Sequence, residues 1–309
     1  MRLLRTPDKR FEELEDYPFA PNYCEVDGIR IHYIDEGSTD GAETVLMLHG
    51  EPSWSYLYRK MIPIVAGAGF RVIAPDLVGF GKSDKPVEMD DYSYEKHINW
   101  VAGFVQALDL KNITLVAQDW GGNIGLRVAA ENQERFGRIC ISNTTLPIGK
   151  GSPTEAFLRW RTFSQKSPDF DIATVINNAC LRSLAPGELA AYNAPFPDDS
   201  YKAGARVFPS LVPTTPDDPA VPGNKKAWDV FSAWNKPFLT AFSDSDPITR
   251  GWDAIFRKKI PGAQGLEHVT LENAGHFVQE DQSEKWAEII VKFIQDTGLS
   301  KNQEALCLN

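Results

Sequence analysis

The feature that most limits what this chain can fold into is a rhythm. Short apolar runs rich in β-branched residues alternate with longer stretches whose apolar residues recur at helical spacing. The runs are Ile31–Asp35, Thr44–Leu48, Arg71–Ala74, Ile113–Ala117, Arg138–Ser142, Pro237–Phe242 and His268–Leu271. Several are apolar throughout instead of alternating. A strand reads that way when helices cover both of its faces, the condition of a buried parallel sheet. The helical stretches lie at Ser55–Ala68, Tyr94–Leu108, Asn123–Arg135, Thr249–Lys259 and Ser283–Asp296. Strand–helix–strand repetition calls for right-handed crossovers and predicts an α/β chain, its mostly parallel central sheet flanked by helices.

The rhythm stops between about Leu146 and Asn235. Here helical patterns at Thr154–Ser164, Asp171–Ser183 and Ala185–Tyr192 are joined by loops rich in Pro, Asp and Gly. The segment reads as a helical cap over the C-terminal edge of the sheet, where open α/β sheets bind ligands. The expected division is core 1–146, cap 147–235 and core again 236–309. The closing stretch Ser300–Asn309 is weakly patterned and is expected to be poorly ordered.

Composition narrows the function. The chain has 309 residues, 42% of them hydrophobic, enough to bury a sizeable core. Its 32 Lys and Arg stand against 42 Asp and Glu, a net charge of −10, and no basic stripe is present. That balance argues against nucleic acid and against an anionic membrane as partners. No apolar stretch reaches the ~20 residues that span a bilayer. Met1–Arg10 lacks the apolar run of a secretory signal, so a cytoplasmic location is expected. Cys24, Cys140, Cys180 and Cys307 lie far apart, without a CxxC pair, and read as free thiols. No His, Cys and Asp cluster has zinc-like spacing, and neither metal nor cofactor is expected.

The chemistry gathers at predicted strand ends. Val116-Ala-Gln-Asp-Trp-Gly-Gly122 closes one strand and opens a helix. Small residues sit two before and two after Asp119, as in the sharp bend that exposes a nucleophile. Ser usually holds that place; here it is Asp. Asp also caps helices, so the local sequence leaves both readings open. His49-Gly-Glu-Pro52 follows the strand Thr44–Leu48 and would bring the backbone N–H groups of Glu51 and Trp120 together as an oxyanion hole. Phe242-Ser-Asp-Ser-Asp-Pro247 ends another strand, and Ala274-Gly-His-Phe277 follows the last. Asp119, Asp246 and His276 then stand in the order nucleophile, acid, histidine of the α/β-hydrolases. Asp244 competes with Asp246 for the acid role. Gly81-Lys82-Ser83 suggests the end of a phosphate loop, but Asp76 occupies the place of its first Gly.

An Asp nucleophile points to displacement at saturated carbon. Serine would leave an ether that water cannot cleave, whereas a carboxylate leaves an ester that it can. These motifs resemble the haloalkane dehalogenases of the α/β-hydrolase superfamily. So do Arg5–Phe11, Tyr17–Tyr23, His49–Trp54, Asp76–Asp84, Ala194–Pro197 and Ala274–Glu280, and the likeness covers nearly the whole chain. The resemblance implies an α/β-hydrolase fold with an inserted helical cap. It implies cofactor-free hydrolysis of a carbon–halogen bond to an alcohol, a halide and a proton. The partners would be a small halogenated hydrocarbon and water, acting on a monomer.

A halide needs donors that are not bases, and indole N–H is donor-only. Trp120, beside the nucleophile, is one candidate. One branch of the family places Asn after the His-Gly pair; here that residue is Glu51, whose carboxylate would repel a halide. The other branch uses a cap Trp, and Trp160 matches it by position, with Trp228 and Trp234 as rivals better explained by packing. Phe157, Phe163, Phe170 and Leu211 are expected to line an apolar pocket between core and cap. An epoxide hydrolase would share the fold and the Asp, but that family uses two cap Tyr residues as proton donors. This cap offers only Tyr192 and Tyr201, on either side of Pro195 and Pro197. A non-enzymatic member of the fold would show a degraded triad, whereas every catalytic position here holds a competent residue.

Overall fold

The alternating runs build an eight-stranded sheet in the computed structural model, which describes residues 1–38 and 43–298. The stretch Ser300–Asn309, with Cys307, lies outside the described residues. The strands are β1 (Leu3–Leu4), β2 (Asn22–Val26), β3 (Ile29–Glu36), β4 (Thr44–Leu48), β5 (Arg71–Pro75), β6 (Lys85–Pro86), β7 (Ile113–Gln118), β8 (Phe136–Ser142), β9 (Phe238–Ser243) and β10 (Val269–Leu271). The large sheet runs β10-β9-β8-β7-β4-β5-β3-β2, and β1 pairs with β6 apart from it. From β10 to β5 every pairing is parallel; β3 and β2 join antiparallel at the far edge. All residues of β4 and of β7 are buried, as their unbroken apolar sequences require.

The helices are α1 (Ile62–Gly67), α2 (Tyr94–Ala107), α3 (Trp120–Glu131), α4 (Glu155–Lys166), α5 (Ile172–Ala179), α6 (Pro186–Asn193), α7 (Ala203–Val207), α8 (Val221–Phe231), α9 (Trp252–Lys259), α10 (Val278–Asp281) and α11 (Ser283–Asp296). Residues Ser55–Ala68 do not form one helix: a 3-10 turn at Ser55–Tyr58 precedes α1, and Pro63, which has no N–H to give, sits in the first turn of α1. Helix α3 begins at Trp120, three residues before the expected Asn123. Helix α11 buries Trp286, Ala287, Ile290, Phe293 and Ile294, a stripe at helical spacing.

Among the described residues, the connection from β8 to β9 contains α4 to α8 and no strand. A buried ionic joint fastens this insertion to the sheet. Arg59 donates to Glu280 in α10 and to Glu188 in α6, both at 2.5 Å. Arg182, between α5 and α6, reaches the same two carboxylates, and Lys60 donates to Glu188 at 2.9 Å. Among the described residues no helix is long and apolar enough to cross a membrane.

Candidate active site

Four of the residues singled out above follow the C-terminal ends of parallel strands: Glu51 after β4, Asp119 after β7, Asp246 after β9 and His276 after β10. The backbone bends sharply at Asp119, whose φ of 52° and ψ of −126° lie where few side chains settle. Its neighbours explain how the bend closes. A Cβ on Gly121 would stand 2.0 Å from the Leu48 carbonyl oxygen, and one on Gly122 would stand 2.2 Å from Thr144 Oγ1. Only glycine lets α3 start this close to β4. Asp119 does not cap α3, for its side chain makes no cap hydrogen bond. Instead the Glu51 backbone N–H donates to Asp119 Oδ1 at 2.8 Å, and Asp119 Oδ2 lies 3.4 Å from His276 Nε2. Trp120 opens α3, so its backbone N–H belongs to the first turn, which a helix leaves unpaired.

On its other side His276 meets Asp246, with Nδ1 3.1 Å from Asp246 Oδ2, a close ion pair without the alignment of a hydrogen bond. Burial opposes the imidazolium, but the charge of Asp246 and the contacts with Asp119 outweigh it and raise the His276 pKa to about 10. Burial likewise opposes the Asp246 carboxylate. His276, Thr249 and the Ile248 amide overcome it and hold its pKa at about 2. Asp244 is turned away, accepting from the backbone of Asn273 at 2.9 Å and Ala274 at 3.2 Å.

Asn143, directly after β8, is a site residue that the sequence motifs did not single out. Its carbonyl accepts from the Asp119 N–H at 3.0 Å, and its Nδ2 donates to the His276 carbonyl at 2.9 Å. Its Oδ1 accepts from the Ser243 N–H at 3.0 Å. One residue, through its main-chain carbonyl and its side-chain amide, thus ties the three strand ends together. Its only sequence signal was a polar residue directly after an apolar strand. His49 holds its own loop in shape, for Nε2 accepts from Leu77 N–H at 2.9 Å and Nδ1 donates to the Gly50 carbonyl. Asp76 accepts from the backbone of Ser55 at 2.8 Å and Lys82 at 2.7 Å, so Gly81-Lys82-Ser83 closes a structural turn.

Asp119, Glu51 and His276 border a cavity of about 950 Å³, with Trp120, Phe157, Trp160 and Phe163 among its walls. Trp120 is wedged edge-on against Tyr94 and Phe208, with ring centres 5.0 and 4.7 Å away. Trp160 projects from α4 and stacks on Phe163 and Phe170 at 6.1 and 5.9 Å. Trp228 is occupied elsewhere, its indole N–H donating to the Leu146 carbonyl at 2.8 Å, and Trp234 packs on Phe231. Neither borders the cavity, whereas Trp252, not weighed from sequence, does.

Two expected pocket residues do not line the cavity. Phe170 is buried behind Trp160, with the Arg206 guanidinium 4.8 Å over its ring. Leu211 lies in the 3-10 turn Phe208–Leu211, whose cavity side is formed by Pro209, with Val212 beyond it. The Glu51 side chain is buried, and desolvation with the nearby charge of Asp119 pushes its pKa well above the usual carboxylate range. Among the described residues no group of three or more His, Cys, Asp or Glu side chains could hold a metal ion.

Comparison with known proteins bears on this geometry. Residues 43–283 match the family described as alpha/beta hydrolase fold. A haloalkane dehalogenase of Psychrobacter cryohalolentis is 56% identical over 301 residues, 96% of this chain and 99% of its own. One of Mycolicibacterium paratuberculosis is 49% identical, over 96% of this chain and 99% of its own. The chain belongs to the haloalkane dehalogenase family. Among solved structures, the tetrameric haloalkane dehalogenase of Paraglaciecola agarilytica matches this dehalogenase with a TM-score of 0.87 at 40% identity, covering 94% of this chain and 97% of that one. The haloalkane dehalogenase of Agrobacterium tumefaciens C58 matches with a TM-score of 0.78 at 26% identity, over 94% and 100% of the two chains.

Proposed function

We propose that this haloalkane dehalogenase cleaves the carbon–halogen bond in two displacements, with Asp119 as nucleophile, His276 as base and Asp246 as the acid that steadies the imidazole. The observation that carries the reading is the placement of the Asp119 carboxyl. One oxygen is held by the Glu51 amide, while the other faces His276 at the edge of the cavity.

In the first step an Asp119 oxygen attacks the halogen-bearing carbon, forming an alkyl ester as the halide leaves with the bonding electrons. The Trp120 and Trp160 indoles, both bordering the cavity, receive the halide. Alkylation erases the negative charge that Asp119 sets against His276. The imidazole pKa then falls from its value of about 10, and the ring gives up its proton. Neutral His276 takes a proton from the water that attacks the acyl carbon. The amides of Glu51 and Trp120 hold the tetrahedral oxyanion, worth roughly 3 kcal/mol per donor. On collapse His276 returns its proton to the departing alkoxide oxygen, releasing the alcohol, and then takes the carboxyl proton, restoring the Asp119 carboxylate and the imidazolium.

An epoxide substrate is disfavoured by the tyrosines. Tyr192 donates to Glu280 inside the ionic joint, and neither Tyr192 nor Tyr201 borders the cavity. The test of the main reading is His276→Phe supplied with 1-bromobutane or 1,2-dibromoethane. It should release about one bromide per active site and keep an alkyl adduct on Asp119. A variant that never shows the adduct contradicts covalent catalysis.

Residues 147–235 act in this reading as a cap that brings Trp160 and Phe157 over the strand ends. All the groups invoked lie on one chain, so the reaction needs no second copy. Light scattering tests the expected monomer, the Paraglaciecola relative being tetrameric. The free thiols of Cys24, Cys140 and Cys180 fit a cytoplasmic location.

A further inference from the structure

The oxyanion hole uses only the backbone of Glu51 and leaves its side chain unemployed. That side chain is 4% exposed, borders the cavity, and has an Oε1 with no hydrogen-bond partner among the described residues. A buried polar atom left so is costly unless something binds it. Three groups from three elements surround the carboxyl: Asp119 at the bend after β7, His276 in the loop after β10, and the Trp160 indole from α4. Burial and the Asp119 charge push the Glu51 pKa well upward, against the opposing pull of His276 and Trp160. A protonated carboxyl has one O–H to give, and carboxylic acids kept neutral in apolar sites donate in this manner.

We propose that the Glu51 side chain donates its O–H to the departing halide, as a third donor beside the Trp120 and Trp160 indoles. The inference rests on the proposed function, in which those indoles receive the halide. While a halide is still bound after hydrolysis has restored the Asp119 carboxylate, an ionised Glu51 would add a third negative charge to one poorly hydrated space. The neutral acid removes one of them and supplies a hydrogen bond in its place. Glu51 would thereby do for this enzyme what a side-chain amide at the same position could do.

The test titrates the purified enzyme with bromide and follows the quenching of Trp fluorescence in wild type, Glu51→Gln and Glu51→Leu. Gln keeps an uncharged donor, and Leu fills similar space with none. Glu51→Gln should bind bromide within about threefold of wild type and Glu51→Leu about tenfold more weakly, the size of one hydrogen bond to a charged acceptor. A Leu variant that binds bromide as tightly as wild type overturns the proposal. Tighter binding, the result that loss of an anionic neighbour requires, overturns it as well, as do equal losses in the two variants. The Asp119 adduct in His276→Phe separates the two levels of inference. Its presence without the bromide pattern removes the Glu51 donor alone, and its absence removes the covalent mechanism beneath.

Discussion

His276 is coupled electrostatically to Asp246 and Asp119, and its pairing with Asp246 has consequences on both sides of neutral pH. The His276 pKa stands at about 10 in the folded chain against an ordinary 6.5. Its contribution to stability is therefore complete below pH 6.5 and is lost as pH rises through about 10. Asp246 is the mirror case: held at about 2 against 3.8, it stabilises above 3.8, and that contribution is lost as pH falls through about 2. Thermal unfolding of wild type should thus show an alkaline loss of stability between pH 6.5 and about 10 that His276→Phe lacks. An unchanged slope would assign it to other groups. At the cavity wall, Trp160→Ala should lower bromide affinity by about tenfold, read as reduced quenching of Trp fluorescence. Unchanged affinity would remove Trp160 from the halide site.

The strand–bend–helix unit around Asp119 is the element on which the site depends. Because the Gly121 Cβ position meets a backbone carbonyl, no side-chain movement can make room there. Gly121→Ala should cost ~3 kcal/mol or more, seen as a lower urea midpoint; a midpoint equal to wild type would contradict the packing described for the bend. At this scale much was legible in advance. Strands β4 and β7 announced themselves because burial on both faces leaves an unbroken apolar run. Strand β2 was missed because it lies at the sheet edge and alternates exposed with covered residues. Its signal was the Asp27-Gly28 turn, both residues at positive φ, of the kind that joins hairpin strands. The motif order placed Asp119, Asp246 and His276 at strand ends, but sequence could not show which way Phe170 and Leu211 face, since that depends on how the insertion docks. The upward shift of the Glu51 pKa was hidden for the same reason: it follows from burial beside Asp119, which no local pattern encodes.

Across the whole molecule, the cavity is bordered both by the loops at the strand ends and by the helical insertion between β8 and β9, which has to be held against the sheet. The joint of Arg59, Lys60, Arg182, Glu188 and Glu280 does this with buried charges instead of apolar contact. Removing one member leaves its partners charged and dry, at a cost of ~3–5 kcal/mol. Arg59→Leu should accordingly lower the thermal midpoint and speed amide exchange in α5 and α6 more than in β4 or β7. Equal acceleration everywhere would mean that the joint supports the fold at large and not the insertion in particular. The central claim is that the Asp119 carboxylate, not water, makes the first bond to carbon. Single turnover of excess enzyme with 1-bromobutane in heavy-oxygen water tests it most directly. The account predicts an alcohol carrying ordinary oxygen and the label in the Asp119 side chain; labelled alcohol with an unlabelled Asp119 would contradict it.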